Sequence, residues 1–149
     1  MGNHDRDAQE IVDEVKRASI IPLFDNNVEL NKDITLVGRK DKSVSRDRLD
    51  TAKLLESVDL NKTIILVDHQ PDAIDYHSTL PIDVQLSGHT HHGQMWPINY
   101  ITEHIYTLDY GYKEINSKHF FTTAGYGFWG PPFKTTARSE VWMITIEGK

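Results

Sequence analysis

TIILVDHQP, residues 63–71, sets the frame for the whole chain. TIILV is a continuous apolar run, and such a run suits a strand buried on both faces of a sheet. It ends at Asp68-His69-Gln70-Pro71. A histidine placed just after a buried strand stands at the carboxyl end of that strand, where open α/β sheets gather their sites.

Working outward, VQLS (84–87) reads as the next strand and ends at Gly88-His89-Thr90-His91. A short helical stretch is expected between them, around 72–77. Upstream, Ala8, Ile11, Val12, Val15 and Ala18 have helical spacing over 8–18, with Asp7 and Glu10 placed as a capping box. SIIPLF (19–24) reads as a short strand and DNN (25–27) as a turn. VEL (28–30) and ITLVG (34–38) read as a hairpin. Ser45 is placed to cap a helix over 46–58 with Leu49, Ala52, Leu55 and Val58 on one face. Downstream, YGYKEI (110–115) and HFFTTAG (119–125) suggest a hairpin, GFWGPP (127–132) a loop, and the alternating SEVWMITI (139–146) a final strand. Helices alternate with strands early and β dominates later. That pattern favours a layered α/β architecture in a single domain, 1–149, over a bundle or an all-β sandwich.

Bulk composition narrows the function. The 149 residues carry a net charge of −6, so no global basic surface invites nucleic acid or anionic lipid. An anionic substrate would need local positive charge, from a few Arg and Lys or from metal ions. There is no cysteine, which excludes disulfides, thiolate nucleophiles and Cys-based zinc sites and is compatible with either side of a membrane. No run approaches the 18 apolar residues of a membrane span, so the chain reads as soluble.

Three groups of candidate ligands stand out: Asn3 with His4, His69, and His89 with His91. Each has a bland explanation when taken alone. A lone histidine is usually a surface residue or a satisfied core residue, and His77, His104 and His119 are read that way. Gly88 and Gly93 suit turns. The order of the three groups, two of them directly after strands, is what points to a site.

GNHD at 2–5, His69 after a strand and GHTH at 88–91 resemble the calcineurin-like metallophosphoesterases. LSGHTHHGQMWP (86–97) and GYGFWGPPFKTTARSE (125–140) are similar to one bacterial subgroup, whose members often carry transmembrane helices upstream of the catalytic domain. The resemblance implies a four-layer αββα sandwich and a two-metal phosphoesterase site. It places Asn3, His69 and His89 on ligands of one metal and His91 on a ligand of the other. His4 falls on the catalytic histidine that contacts the phosphate and protonates the leaving oxygen, and Asp5 on the residue that orients it. Gln94, after the GHTH loop, is a further candidate for substrate or ligand contact. Imidazole nitrogens with an amide oxygen suit Mn, Fe or Zn. Two divalent ions neutralise an anionic ester and lower the pKa of a water between them. The substrate class implied is a phosphate mono- or diester.

The family pattern begins with Asp-x-His and then Gly-Asp, whose carboxylate bridges the metals, before GNHD. No Gly-Asp occurs in these residues, and the one Asp-x-His, Asp75-Tyr76-His77, lies between His69 and His89. The chain is therefore expected to be the C-terminal portion of the sandwich, lacking its N-terminal βα units. It is expected to retain one metal and to show little activity alone, with a partner chain as a candidate to complete the sheet and a membrane-associated parent protein. The alternatives are a non-catalytic remnant that binds at most one metal, and a phosphate- or nucleotide-binding module. His92 is expected to be exposed or to stand behind the ligands. Trp129 is a packing anchor or a cleft residue, and Arg138 a surface residue or a phosphate contact.

Overall fold

The structure, a computed structural model, describes residues 8–43, 45 and 47–147. Asn3, His4 and Asp5 lie outside the described residues. Six strands form one mixed sheet: β1 (Asn26–Glu29), β2 (Ile34–Gly38), β3 (Thr63–Val67), β4 (Val84–Ser87), β5 (Gly111–Ile115) and β6 (Lys118–Thr122). Their order is β1-β2-β3-β4-β6-β5. The inner four, β2, β3, β4 and β6, run parallel, and β1 and β5 flank them antiparallel through hairpins. Parallel neighbours require crossovers. Those crossovers carry α2 (Thr51–Leu55), α3 (Ile74–His77) and α4 (Ile98–Ile105), while α1 (Ala8–Arg17) precedes the sheet. The fold is α/β, one helix-bearing sheet of the layers a metallophosphoesterase sandwich would hold.

The two faces of the sheet differ. Val37, Ile64, Leu66 and Phe120 point to one side and form the core with Leu54, Leu55 and Ile74 of α2 and α3. The residues between them, Leu36, Val67 and Leu86, line a cleft of about 680 Å³ on the other side. TIILV is thus buried on its helix face, but Val67 at its end is 37% exposed, where burial on both faces is expected from the sequence.

Four expectations need correction. The helix expected over 46–58 is only Thr51–Leu55, capped by Asp50, whose carboxylate accepts from Ala52 N–H at 2.9 Å. The residues before it are bonded elsewhere: Leu49 N–H donates to Asp25 (2.9 Å) and Leu49 C=O accepts from Arg39 (3.1 Å), while Ser45 makes a local bond to Asp47. SIIPLF is not a strand; it crosses the end of β2. A Cβ on Gly38 would lie 2.3 Å from Leu23 Cβ, so only glycine lets the segment approach there. Asn26 and Asn27, expected in a turn, are ladder residues opposite Gly38 and Val37. SEVWMITI makes no ladder among the described residues. It keeps the exposure rhythm of a strand, with Val141 and Met143 outward and Trp142 edge-on to Phe121 at 5.7 Å. α4 is absent from the sequence reading although Ile98, Ile101 and Ile105 have helical spacing, and the stripe they form is not buried, with Ile101 and Ile105 facing outward.

His77 is a satisfied core residue. Arg39 and Thr51 meet its Nε2 at 3.3 and 2.8 Å, and Gln85 Oε1 meets its Nδ1 at 2.8 Å. Arginine can only donate, so Nε2 accepts and Nδ1 carries the proton. Burial holds its pKa below the usual histidine value, outweighing the Gln85 bond and the charge of Asp68, which act upward. No helix among the described residues is long and apolar enough to cross a membrane.

Candidate metal centre

Parallel strands deliver their carboxyl ends to one edge, and the histidines arrive there by that geometry alone. His69 leaves β3 one residue after Asp68, and His89 leaves β4 after Gly88. Gly88 N–H donates to His69 C=O at 3.0 Å and ties the two turns together. The rings of His69 and His89 stand edge-to-face with centroids 5.1 Å apart. Two imidazoles bound to one ion at about 2.1 Å, each centroid about 3.2 Å from it, would stand about 5 Å apart. His91 lines the same cleft, and a Cβ on Gly125, beyond β6, would lie 3.9 Å from its ring.

The loop that carries these rings is strained. His89, His91, His92 and Gln94 all have left-handed backbones, with φ of 72°, 50°, 50° and 56°. Such non-glycine conformations cost about 1–3 kcal/mol each and cluster at functional sites. Gly93, at φ 69°, is there for space as well: an added Cβ would lie 2.3 Å from Asn99 N and 2.5 Å from its Cα, at the start of α4. Gly93→Ala is expected to destabilise the protein by about 1–3 kcal/mol in urea unfolding, because backbone cannot move aside as a side chain can. An unchanged midpoint would show that the loop and α4 are not locked together.

The surroundings fix the strand ends. Asp68, with no exposed surface, accepts from Arg39 at 2.8 Å and from Arg48 at 3.3 Å. Asp41, also buried, accepts both bonds of Gln70 Nε2, at 3.1 and 3.0 Å, and the N–H of Ser43 at 2.8 Å. Burial pushes the Asp41 pKa upward, but the Gln70 and Ser43 bonds and the charge of nearby His69 bring it below the usual carboxylate value. The loop after β6 is gripped from below. Glu140 accepts from Ala124 N–H and Thr123 Oγ1 at 2.9 Å each, and Lys134 donates to the carbonyls of Ala124 and Gly125 at 2.8 Å each.

Gln94 is fully buried, and its amide is engaged at both ends: Oε1 accepts from Trp129 N–H at 2.8 Å, and Nε2 donates to Trp129 C=O at 2.6 Å. Its place is behind the loop, holding GFWGPP against GHTH. His92 likewise stands behind the ligand candidates, with Nδ1 donating to Asp109 at 2.8 Å and its ring over Tyr110 at 4.8 Å. Among the described residues, His92, Glu103 and Asp109 are the trio whose ligand atoms lie within 4.8 Å of one another. With Asp109 on Nδ1, only Nε2 of His92 is left for an ion, and that nitrogen faces Glu103 at 4.0 Å. Arg138 is exposed.

Asp41, Gln70, Arg39 and Asp109 were missed by sequence reasoning. Arg39 and Asp68 do carry a signal, since each is a charge at the end of an apolar strand.

No family model matches the chain, and no solved structure matches it. Curated relatives do. An uncharacterized metallophosphoesterase of Aquifex aeolicus is 31% identical over all of this chain and 60% of its own length. An uncharacterized metallophosphoesterase of Helicobacter pylori (strain J99) is 37% identical over 65% of the chain and 27% of its own length. A zebrafish (Danio rerio) transmembrane protein with a metallophosphoesterase domain is 30% identical over 66% of the chain and 23% of its own length. The chain thus spans 60% or less of the length of these relatives. Bacterial and animal relatives share one family name over the stretch they have in common with it, and the chain belongs to the metallophosphoesterase family.

Proposed function

We propose that this chain supplies the histidine half of a metal-dependent phosphoesterase site that hydrolyses phosphate mono- or diesters. The observation that carries the reading is the pair His69–His89, edge-to-face at 5.1 Å on adjacent parallel strand ends. A donor set of imidazoles suits Mn, Fe or Zn. His69 and His89, with Asn3, are assigned to one ion and His91 to a second. His4 is assigned to phosphate contact and proton donation to the leaving oxygen, with Asp5 orienting it. When bound, a divalent pair supplies charge neutralisation and an acidified water. The chain's own contribution is position: the Arg39–Asp68–Arg48 bridge and the Asp41–Gln70 pair flank His69 and fix the turn that carries it. An acidic protein can take an anionic ester because the ions bring the positive charge.

A second reading is a remnant that binds one metal without catalysis. Hydrolysis of bis-p-nitrophenyl phosphate with Mn²⁺ separates the two. A version extended upstream to include both motifs is expected to turn over, and the 149-residue chain to show little or no rate. Absence of turnover by the extended protein would favour the remnant. Completion by a partner chain is the same proposal in two pieces: the exposed Val67 and the unladdered 139–146 segment are what such a partner would cover.

A further inference from the structure

A second cavity, of about 330 Å³, is lined by the same three histidines, His69, His89 and His91. Trp129 lines it too, as do Ile98 and Tyr106 of the α4 region. Among the described residues, no lysine, arginine or carboxylate lines it. Of the three hydroxyl side chains on its wall, Thr90, Thr102 and Tyr106, the two threonines are already committed: Thr90 donates to Asp109 C=O at 2.6 Å, and Thr102 to the Asp109 carboxylate at 2.9 Å or to Asn99 C=O at 3.0 Å. A sugar or other polyhydroxyl group would find few partners there and lose its water. Trp129 is 45% exposed, yet its backbone is fixed by both ends of the buried Gln94 amide and its loop by Thr135, whose N–H donates to Gln94 C=O at 2.9 Å. A half-exposed indole on a fixed backbone is a pre-organised stacking surface, not a packing anchor. The volume sits at the lower end of the roughly 300–1,000 Å³ range of ligand sites, enough for a one- or two-ring group and short for a long acyl chain.

We infer that this cavity is a side pocket for an aromatic alcohol arm of the phosphate ester, stacked on Trp129 while the phosphate lies at the histidines. The inference rests on the phosphoesterase reading above, so its test has an arm that needs no phosphate. In calorimetry on the Zn²⁺-treated chain, phenylphosphonate is expected to bind about tenfold more tightly than methylphosphonate, since one ring–aromatic stack is worth about that factor or more. Trp129→Ala should bring the ratio to about one with methylphosphonate unchanged, and Trp129→Phe should keep most of it. Separately, phenol at millimolar concentration should shift the indole N–H signal of Trp129, assigned by its loss in Trp129→Ala. Equal binding of the two phosphonates by the unaltered chain, or a preference that survives Trp129→Ala, overturns the side pocket and leaves the histidine reading standing. If neither phosphonate binds while phenol still shifts Trp129, the pocket is upheld as a ring site and the phosphate reading falls. If phenol shifts nothing and neither phosphonate binds, both fall.

Discussion

Asp68→Ala is expected to lower stability by about 3–5 kcal/mol, the range for removing one partner of a buried ion pair. Asp68 has no exposed surface and faces two guanidiniums, Arg39 at 2.8 Å and Arg48 at 3.3 Å. Taking the carboxylate away leaves both charges with too few acceptors, and Arg39, with 6% of its side chain exposed, has little water to turn to. The pair itself adds little over an apolar substitute; the penalty comes from breaking it one-sidedly. Arg48→Met should therefore cost less, because Arg48 is longer-bonded and more exposed (13%). Urea unfolding of the three proteins checks the order. A loss below about 1 kcal/mol in Asp68→Ala would mean that the bridge behaves as a surface pair. Asp68 is also the residue before His69, so the same variant should weaken metal binding.

The second large effect concerns the metal. His89→Ala and His69→Ala are each expected to weaken the tightest Zn²⁺ or Mn²⁺ site by about 100-fold or more, since even supporting residues around a metal cost 10–100-fold when removed. His91→Ala, assigned to a different ion, should affect that first site less. Affinity in the unaltered chain should be weaker at pH 5.5 than at pH 7.5, because a ligating histidine must give up its proton. Calorimetric titration at pH 7.5 and 5.5 reads both effects. A pH-independent affinity would point to oxygen ligands instead.

The parts of this fold that were legible from sequence are those that a single periodicity fixes. TIILV and VQLS were read in place because burial against helices imposes their apolar pattern, and the two hairpins in outline, with β1 starting at Asn26 and not at Val28. The convergence of His69 and His89 followed from the same logic, since adjacent parallel strands place their ends together. What sequence did not show is set by long-range polar bonds. The helix expected from Ser45 starts instead at Thr51 because Asp25 and Arg39 capture the backbone of Leu49. SIIPLF has strand composition but packs across Gly38. SEVWMITI has strand alternation but no neighbour to pair with among the described residues. The role of Gln94 depends on residues 35 and 37 positions away in the chain, Trp129 and Pro131, and no local pattern reveals such a clamp. Asn3, His4 and Asp5 lie outside the described residues, so their assignments rest on the GNHD motif.

The central claim is that the rings at the ends of β3 and β4 are the metal ligands, and not the compact trio of His92, Glu103 and Asp109. Imidazole ¹⁵N NMR during a Zn²⁺ titration of the unaltered chain reads this most directly, because only nitrogens that bind the ion move strongly. With the first equivalent, the account predicts coordination shifts at His69 and His89 and none at His92. A first equivalent that moves His92 and leaves His69 and His89 in place would contradict it.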